Sequence, residues 1–158
     1  MRVGTGYDSH RLRPGRDLII GGVRIDHPSG LDGHSDADVL THAIIDALLG
    51  AAGLGDIGQH FPASEPRYKA ASSQDMLATA VRVVTEAGYR IVNVDSTVIA
   101  EEPRLQPHLG AMREQLAKSL DVDPKLVSVK ATSPEGLGAL GRKAGIAAQA
   151  VALIEATG

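Results

Sequence analysis

Asp8-Ser9-His10 sets a carboxylate and an imidazole two residues apart. In a strand, such residues share one face, roughly 7 Å apart along the chain, and can converge on one cation. The plainer reading is a strand-end acid beside a surface histidine. A second group, Gly33-His34-Ser35-Asp36-Ala37-Asp38, leads into a helical pattern carrying His42 and Asp46. Asp38, His42 and Asp46 recur every fourth residue, which gives them one polar stripe. An imidazole one turn into a helix suits zinc, and Asp46 could orient it. Structure alone also accounts for these residues: Ser35 with Asp38 as a capping box, Asp36 as a complement to the helix dipole, His42 as a surface histidine. A third group, Lys130-Ala131-Thr132-Ser133-Pro134-Glu135-Gly136, ends a strand. Exposed N–H groups at a strand-to-helix turn bind phosphate, and Arg142 downstream could add a charge-assisted contact. Ser133 before Pro134 is equally an N-cap followed by proline in the first helical turn.

Gly136, Gly138 and Gly141 match the spacing of a dinucleotide-binding loop. That site needs a full helix, a further strand and an acid about twenty residues on. Residues 142–158 hold one element, not two, so a Rossmann site is not expected. The chain has no Cys, which excludes thiolate metal sites and thiol catalysis, so any metal is held by His and carboxylates. Aromatics make up 3% of 158 residues, too few for a base-stacking platform. With 16 Lys+Arg against 19 Asp+Glu and no basic run, a nucleic-acid partner is not expected. No apolar run approaches a membrane span. No targeting peptide is evident, so the cytoplasm is the expected address.

One domain, residues 1–158, must position these groups. The first ten residues read as a strand. Leu18–Ile20 and Val23–Ile25 flank Gly21-Gly22, a hairpin signal. Residues 26–35 read as loop. Asp36 to Gly53 reads as a helix with Val39, Leu40, Ala43, Ile44, Ala47, Leu48 and Ala51 on one face. Residues 54–72 read as loop, 73–87 as a second helix, 89–100 as a strand, 106–120 as a third helix and 126–131 as a strand. The tail, 144–156, fits helix by its alanines and strand by Ile146, Val151 and Ile154. The alternation implies α+β layers.

Taken together these residues resemble the 2-C-methyl-D-erythritol 2,4-cyclodiphosphate synthase family of the non-mevalonate isoprenoid (terpenoid) pathway. The resemblance spans essentially the whole chain. It rests on Gly6-Tyr7-Asp8-Ser9-His10-Arg11-Leu12, Gly33-His34-Ser35-Asp36-Ala37-Asp38-Val39 with His42, and Gly53-Leu54-Gly55-Asp56-Ile57-Gly58 followed by Phe61-Pro62. Pro103-Arg104-Leu105 and Lys130-Ala131-Thr132 continue it.

The resemblance implies a small mixed sheet covered by helices on one face, a two-layer sandwich assembled as a homotrimer with active sites between subunits. It implies one Zn2+ per subunit on Asp8, His10 and His42, and a second divalent cation, Mg2+ or Mn2+, on the substrate diphosphate and Glu135. It assigns the methylerythritol phosphate to Asp8, Ser9, His10, His34, Ser35, Asp56, Ile57, Gly58 and Arg142. It assigns the cytidine to Ala100, Pro103, Arg104, Leu105, Ala131, Thr132, Ser133 and Glu135 of the neighbouring subunit. The implied enzyme is a lyase. The 2-phosphate of 4-diphosphocytidyl-2-C-methyl-D-erythritol 2-phosphate attacks the β phosphorus, releasing CMP and closing the ring. The nucleophile is already anionic at neutral pH, so catalysis is charge neutralisation and alignment. His34 and Ser133 are the implied transition-state stabilisers.

Three positions depart from the family pattern. Ser133 replaces Thr and keeps the hydroxyl, Ala63 replaces an Asp after Phe-Pro, and Ala139 replaces a bulky apolar residue that lines a cavity on the trimer axis. Two other readings stand beside the synthase: a zinc-dependent phosphohydrolase, and a non-catalytic metal-stabilised trimer binding isoprenoid diphosphates.

Overall fold

The structure, a computed structural model, describes all residues from Met1 to Gly158. It opens with β1 (Arg2–Pro14), then the hairpin β2 (Leu18–Ile20) and β3 (Val23–Ile25), then β4 (Ser29–Leu31). Helix α1 (Val39–Ala52), the short α2 (Ile57–His60) and α3 (Ser73–Glu86) follow. Next come β5 (Tyr89–Ile99), α4 (Leu109–Leu120), β6 (Val127–Thr132), the single turn α5 (Gly138–Gly141) and β7 (Gly145–Ala156). Five strands form one sheet in the order β4-β1-β7-β5-β6. Only β5 and β6 run parallel, so the sheet is mixed.

The hairpin forms where two apolar runs flank Gly21-Gly22, and both glycines take the positive φ that such a turn demands. Helix α1 is buried almost all round, and only Asp46 and Gly50 escape. It is therefore not the one-faced helix its spacing suggests: it lies between the sheet and α3. Gly53 stops it in the left-handed conformation. Two glycines of β1 let it lie close. A Cβ on Gly4 would collide with the backbone of Ala47 and Ala51, and one on Gly6 with the carbonyl oxygen of Ala43. Leu40, Ile44 and Leu48 are fully enclosed, each worth about 1.5–3 kcal/mol of burial.

The helices cover one face of the sheet. Along β1 and β7, Gly4, Ala148, Ala150 and Ala152 turn toward them, while Val3 (64% exposed), Tyr7 (58%) and Val151 (43%) stand on the open face.

The tail, open between helix and strand on its sequence, is settled, and four expectations need correction. The tail is strand throughout, central in the sheet between β1 and β5. Its small alanines suit the approach of α1, which helix propensity does not register. The 26–35 loop contains β4, and the 54–72 loop contains α2 and a 3-10 turn, Pro66–Tyr68. Ser35 is not the cap of α1. Asp38 is: it accepts from Thr41 N at 3.0 Å and Thr41 Oγ1 at 2.8 Å, and from Gly21 N and Gly22 N at 2.8 and 2.7 Å. One buried carboxylate thus ties the hairpin turn to the helix start. Ser133-Pro134 opens no helix either, since α5 begins at Gly138.

Asp38→Ala leaves those donors without their acceptor. A buried unpaired group costs about 1–3 kcal/mol, so a destabilisation of about 3 kcal/mol or more is expected in chemical denaturation. A loss below about 1 kcal/mol would mean that water replaces the carboxylate at this turn.

Candidate metal centre and its cavity

Strand alternation carries Asp8 and His10 to the helix side of β1, and α1 brings His42 down onto them. His10 Nε2 lies 2.8 Å from Asp8 Oδ2, His42 Nδ1 lies 3.0 Å from the same oxygen, and the two ring nitrogens are 3.3 Å apart. Gly33 makes room for the His10 ring, since a Cβ there would sit 3.1 Å from Cε1 and Nδ1.

The remaining contacts fix which nitrogen of each neutral ring carries hydrogen. His10 Nδ1 lies 2.9 Å from the main-chain oxygen of Asp32, which only accepts, so Nδ1 donates and Nε2 presents a lone pair. Ser73 Oγ donates its hydrogen to Asp36, so it accepts from His42 Nε2 at 2.8 Å. His42 Nδ1 is then the bare nitrogen. Burial works against charge on Asp8; when charged, the two imidazoles also turn a hydrogen toward it, outweigh that burial and hold the carboxyl at about 2. With both rings neutral, three electron-rich atoms face one another, and a positive charge among them satisfies all three. One carboxylate oxygen and two imidazole nitrogens fit a divalent cation.

Burial opposes charge on His10 as well, and Asp8 overrides it and raises the imidazole above its ordinary value. A cation must displace that proton. Zinc affinity is thus expected to fall as pH drops through the raised histidine range, and zinc uptake to release protons. Calorimetry in buffers of different ionisation enthalpy reads the release; uptake without it would mean that His10 keeps its proton.

A cavity of about 250 Å³ opens beside the triad, lined also by His34, Ser35, Asp46, Ile57, Gly58, Phe61, Ala63, Tyr68 and Met76. Its lining joins the polar triad, His34, Ser35 and Asp46 to the apolar Ile57, Phe61, Tyr68 and Met76, with the Phe61 and Tyr68 rings edge to face. Asp56 caps α2 by accepting from Gln59 N, which sets Ile57 and Gly58 at the rim. Asp46 does not orient His42. It accepts from Ile57 N at 2.7 Å and holds α2 in place, and its burial raises its carboxyl. The partners of His42 Nε2 are Ser73 and, at 3.1 Å, Ser35. Ser9 lies on the opposite face of β1, exposed.

A second cavity, about 280 Å³, is lined by Ala100, Glu101, Pro103, Arg104, Leu105, Gln106, Ala131, Thr132 and Ser133. No residue lines both cavities. Ser133 Oγ donates to Glu101 Oε2 at 3.0 Å and accepts from Glu135 N at 3.0 Å, and Gly136 N also reaches Glu101. Glu135 holds a positive φ of 55° and is exposed, as is Arg142 after α5, and neither lines either cavity. Ala139 is exposed in α5.

Sequence reasoning missed Ser73 and the lining residues Phe61, Tyr68 and Met76. Ser73 reads only as a helix start, and Met76 only as core.

The sequence matches the model of the YgbB family over residues 1–155. It is 59% identical over 155 residues to a 2-C-methyl-D-erythritol 2,4-cyclodiphosphate synthase of Syntrophomonas wolfei, covering 98% of this chain and 99% of that one. Among solved structures, the bifunctional IspDF of Campylobacter jejuni superposes with a TM-score of 0.95 at 41% identity; the match takes in 98% of this chain and 42% of that longer one. The CDP complex of IspF from Plasmodium falciparum superposes with a TM-score of 0.87 at 32% identity, covering 99% of this chain and 97% of that one.

Proposed function

The chain belongs to the YgbB family and is a lyase that forms 2-C-methyl-D-erythritol 2,4-cyclodiphosphate in the non-mevalonate isoprenoid pathway, and we propose that it does so in the cavity beside Asp8, His10 and His42. The convergence of those three side chains on one point, in a cavity that adds both polar and apolar groups, carries the reading. Zn2+ held there would supply Lewis-acid polarisation of the substrate's β phosphate. Glu135 would hold a second cation, Mg2+ or Mn2+, brought with the substrate diphosphate, and that cation would neutralise phosphate charge.

In this proposal the residues bind and align. His34 and Ser35 hold the 2-phosphate near the β phosphorus, and Ile57 and Gly58 with Asp56 grip the methylerythritol. A 2-phosphate oxygen forms the new P–O bond, the bond from the β phosphorus to the oxygen bridging to the α phosphate breaks, and CMP leaves with that oxygen. No water is consumed. Arg142 adds a phosphate contact and Ser133 a hydroxyl toward the leaving phosphate. Ala100, Pro103, Arg104, Leu105, Ala131 and Thr132 take the cytidine, largely with main-chain groups, which suits a chain poor in aromatics.

The separation of the two cavities on one chain supports a shared site: one subunit offers the triad, its neighbour the nucleotide pocket. The open sheet face with Val3, Tyr7 and Val151 supports burial in a homotrimer. No helix is long and apolar enough to cross a membrane.

The hydrolase alternative is not favoured. It would use water as nucleophile at the same three ligands, whereas the relatives matched over nearly the whole chain are cyclodiphosphate synthases. Product analysis tests the reading: CMP with cyclic diphosphate supports it, and an open-chain phosphate with water incorporated overturns it.

Ser133→Ala is expected to slow CMP release by about a hundredfold with the melting temperature nearly unchanged, since Ser133 caps no helix. A lowered melting temperature with unchanged turnover would assign Ser133 to its turn alone.

A further inference from the structure

His42 can serve a cation only through Nδ1, and only if Nε2 carries the hydrogen. We propose that Asp36, acting through Ser73, is the positioning pair that enforces this: Asp36 draws the Ser73 hydroxyl hydrogen away from His42, so that Ser73 Oγ must accept from Nε2. The inference rests on the reading of Asp8, His10 and His42 as a cation site.

Ser73 is fully buried, and both its polar groups are tied to one carboxylate. Its hydroxyl donates to Asp36 Oδ1 and its main-chain N–H to Oδ2 at 2.9 Å. Asp36 is itself held by Asp38 N at 3.2 Å. The hydroxyl has one hydrogen, and with that hydrogen on Asp36 the oxygen has only lone pairs for His42. Were the hydroxyl free to turn, it could donate to Nε2. The ring would then carry its hydrogen on Nδ1, pointed at Asp8 and His10, where it would exclude a cation. Ser35 Oγ also approaches Nε2, at 3.1 Å, and accepts from Ala37 N at 3.3 Å. Ser35 lines the cavity, however, and can turn to a ligand, whereas Ser73 has no other partner to turn to. Outer partners of this kind typically change metal affinity 10–100-fold when removed.

The test uses the full chain, zinc alone as the probe, and two readouts: the zinc dissociation constant by competition with a chromophoric chelator, and the His42 Nε2–H proton signal of the zinc-loaded protein. Ser73→Ala is expected to weaken zinc about tenfold or more and to lose the exchange-protected proton signal. Ser73→Thr, which keeps the hydroxyl, should restore both. Asp36→Asn should weaken zinc as well, because Ser73 is no longer bound to donate away from the ring, and it carries the test should Ser73→Ala not fold. Ser73→Ala or a folded Asp36→Asn that binds zinc within twofold of the parent overturns the proposal, even if its melting temperature drops. A parent protein whose zinc affinity is untouched by His42→Ala would instead overturn the cation site itself.

Discussion

His42→Ala is expected to strip zinc from the purified protein and to lower CMP release by about a thousandfold or more. The ligand atom lost is one of three that close on a single point, and the two left behind, Asp8 Oδ2 and His10 Nε2, no longer enclose it. Bringing a phosphate anion onto a diphosphate needs charge neutralisation worth several kcal/mol, and each 1.36 kcal/mol is tenfold in rate. Asp8→Ala and His10→Ala should do the same. The fold should survive these changes, because α1 is held by its aliphatic neighbours. Elemental analysis paired with a CMP assay decides it. A variant that keeps both zinc and near-normal turnover is not a ligand variant, and its residue leaves the set.

Gly6→Ala is expected to damage stability and the metal site together. The added methyl would meet the carbonyl oxygen of Ala43, backbone that cannot rotate away, so α1 must lift from β1. Overpacking a close contact costs about 1–3 kcal/mol, occasionally more; here the upper end is expected. Asp8 and His10 ride on β1 and His42 on α1, one residue from Ala43, so the lift pulls the nitrogen of His42 from its partners. Zinc affinity should fall at least tenfold in the protein that remains folded. A variant with unchanged melting and unchanged zinc binding would show that strand and helix do not depend on the glycine for their spacing.

What the sequence showed of this molecule was local in origin. The Gly21-Gly22 hairpin and α1 are legible because turn chemistry and helical spacing act over a few residues. The identity of β7 is not, because alanines in a central strand obey the closeness of α1 rather than their own propensity. β4 is three residues long, with Gly30 packed against the backbone of Arg16 and Asp17, and carries no periodic signal. At the site, Asp8, His10 and His42 were legible by type, and the family resemblance tied them together. Spacing could not, since Asp8 and His42 are far apart in the chain. Asp38 read as a capping residue in one position and caps in another, because the tertiary donors Gly21 and Gly22 draw it. Ser73 was illegible: its role depends on two partners more than thirty residues away, Asp36 and His42, and its sequence setting says only that a helix begins.

Diffraction from zinc-loaded crystals, collected on either side of the zinc absorption edge, tests the central claim most directly. The account predicts one anomalous peak per subunit, within bonding reach of Asp8 Oδ2, His10 Nε2 and His42 Nδ1. A peak elsewhere, or none at that point in crystals that contain zinc, would contradict it.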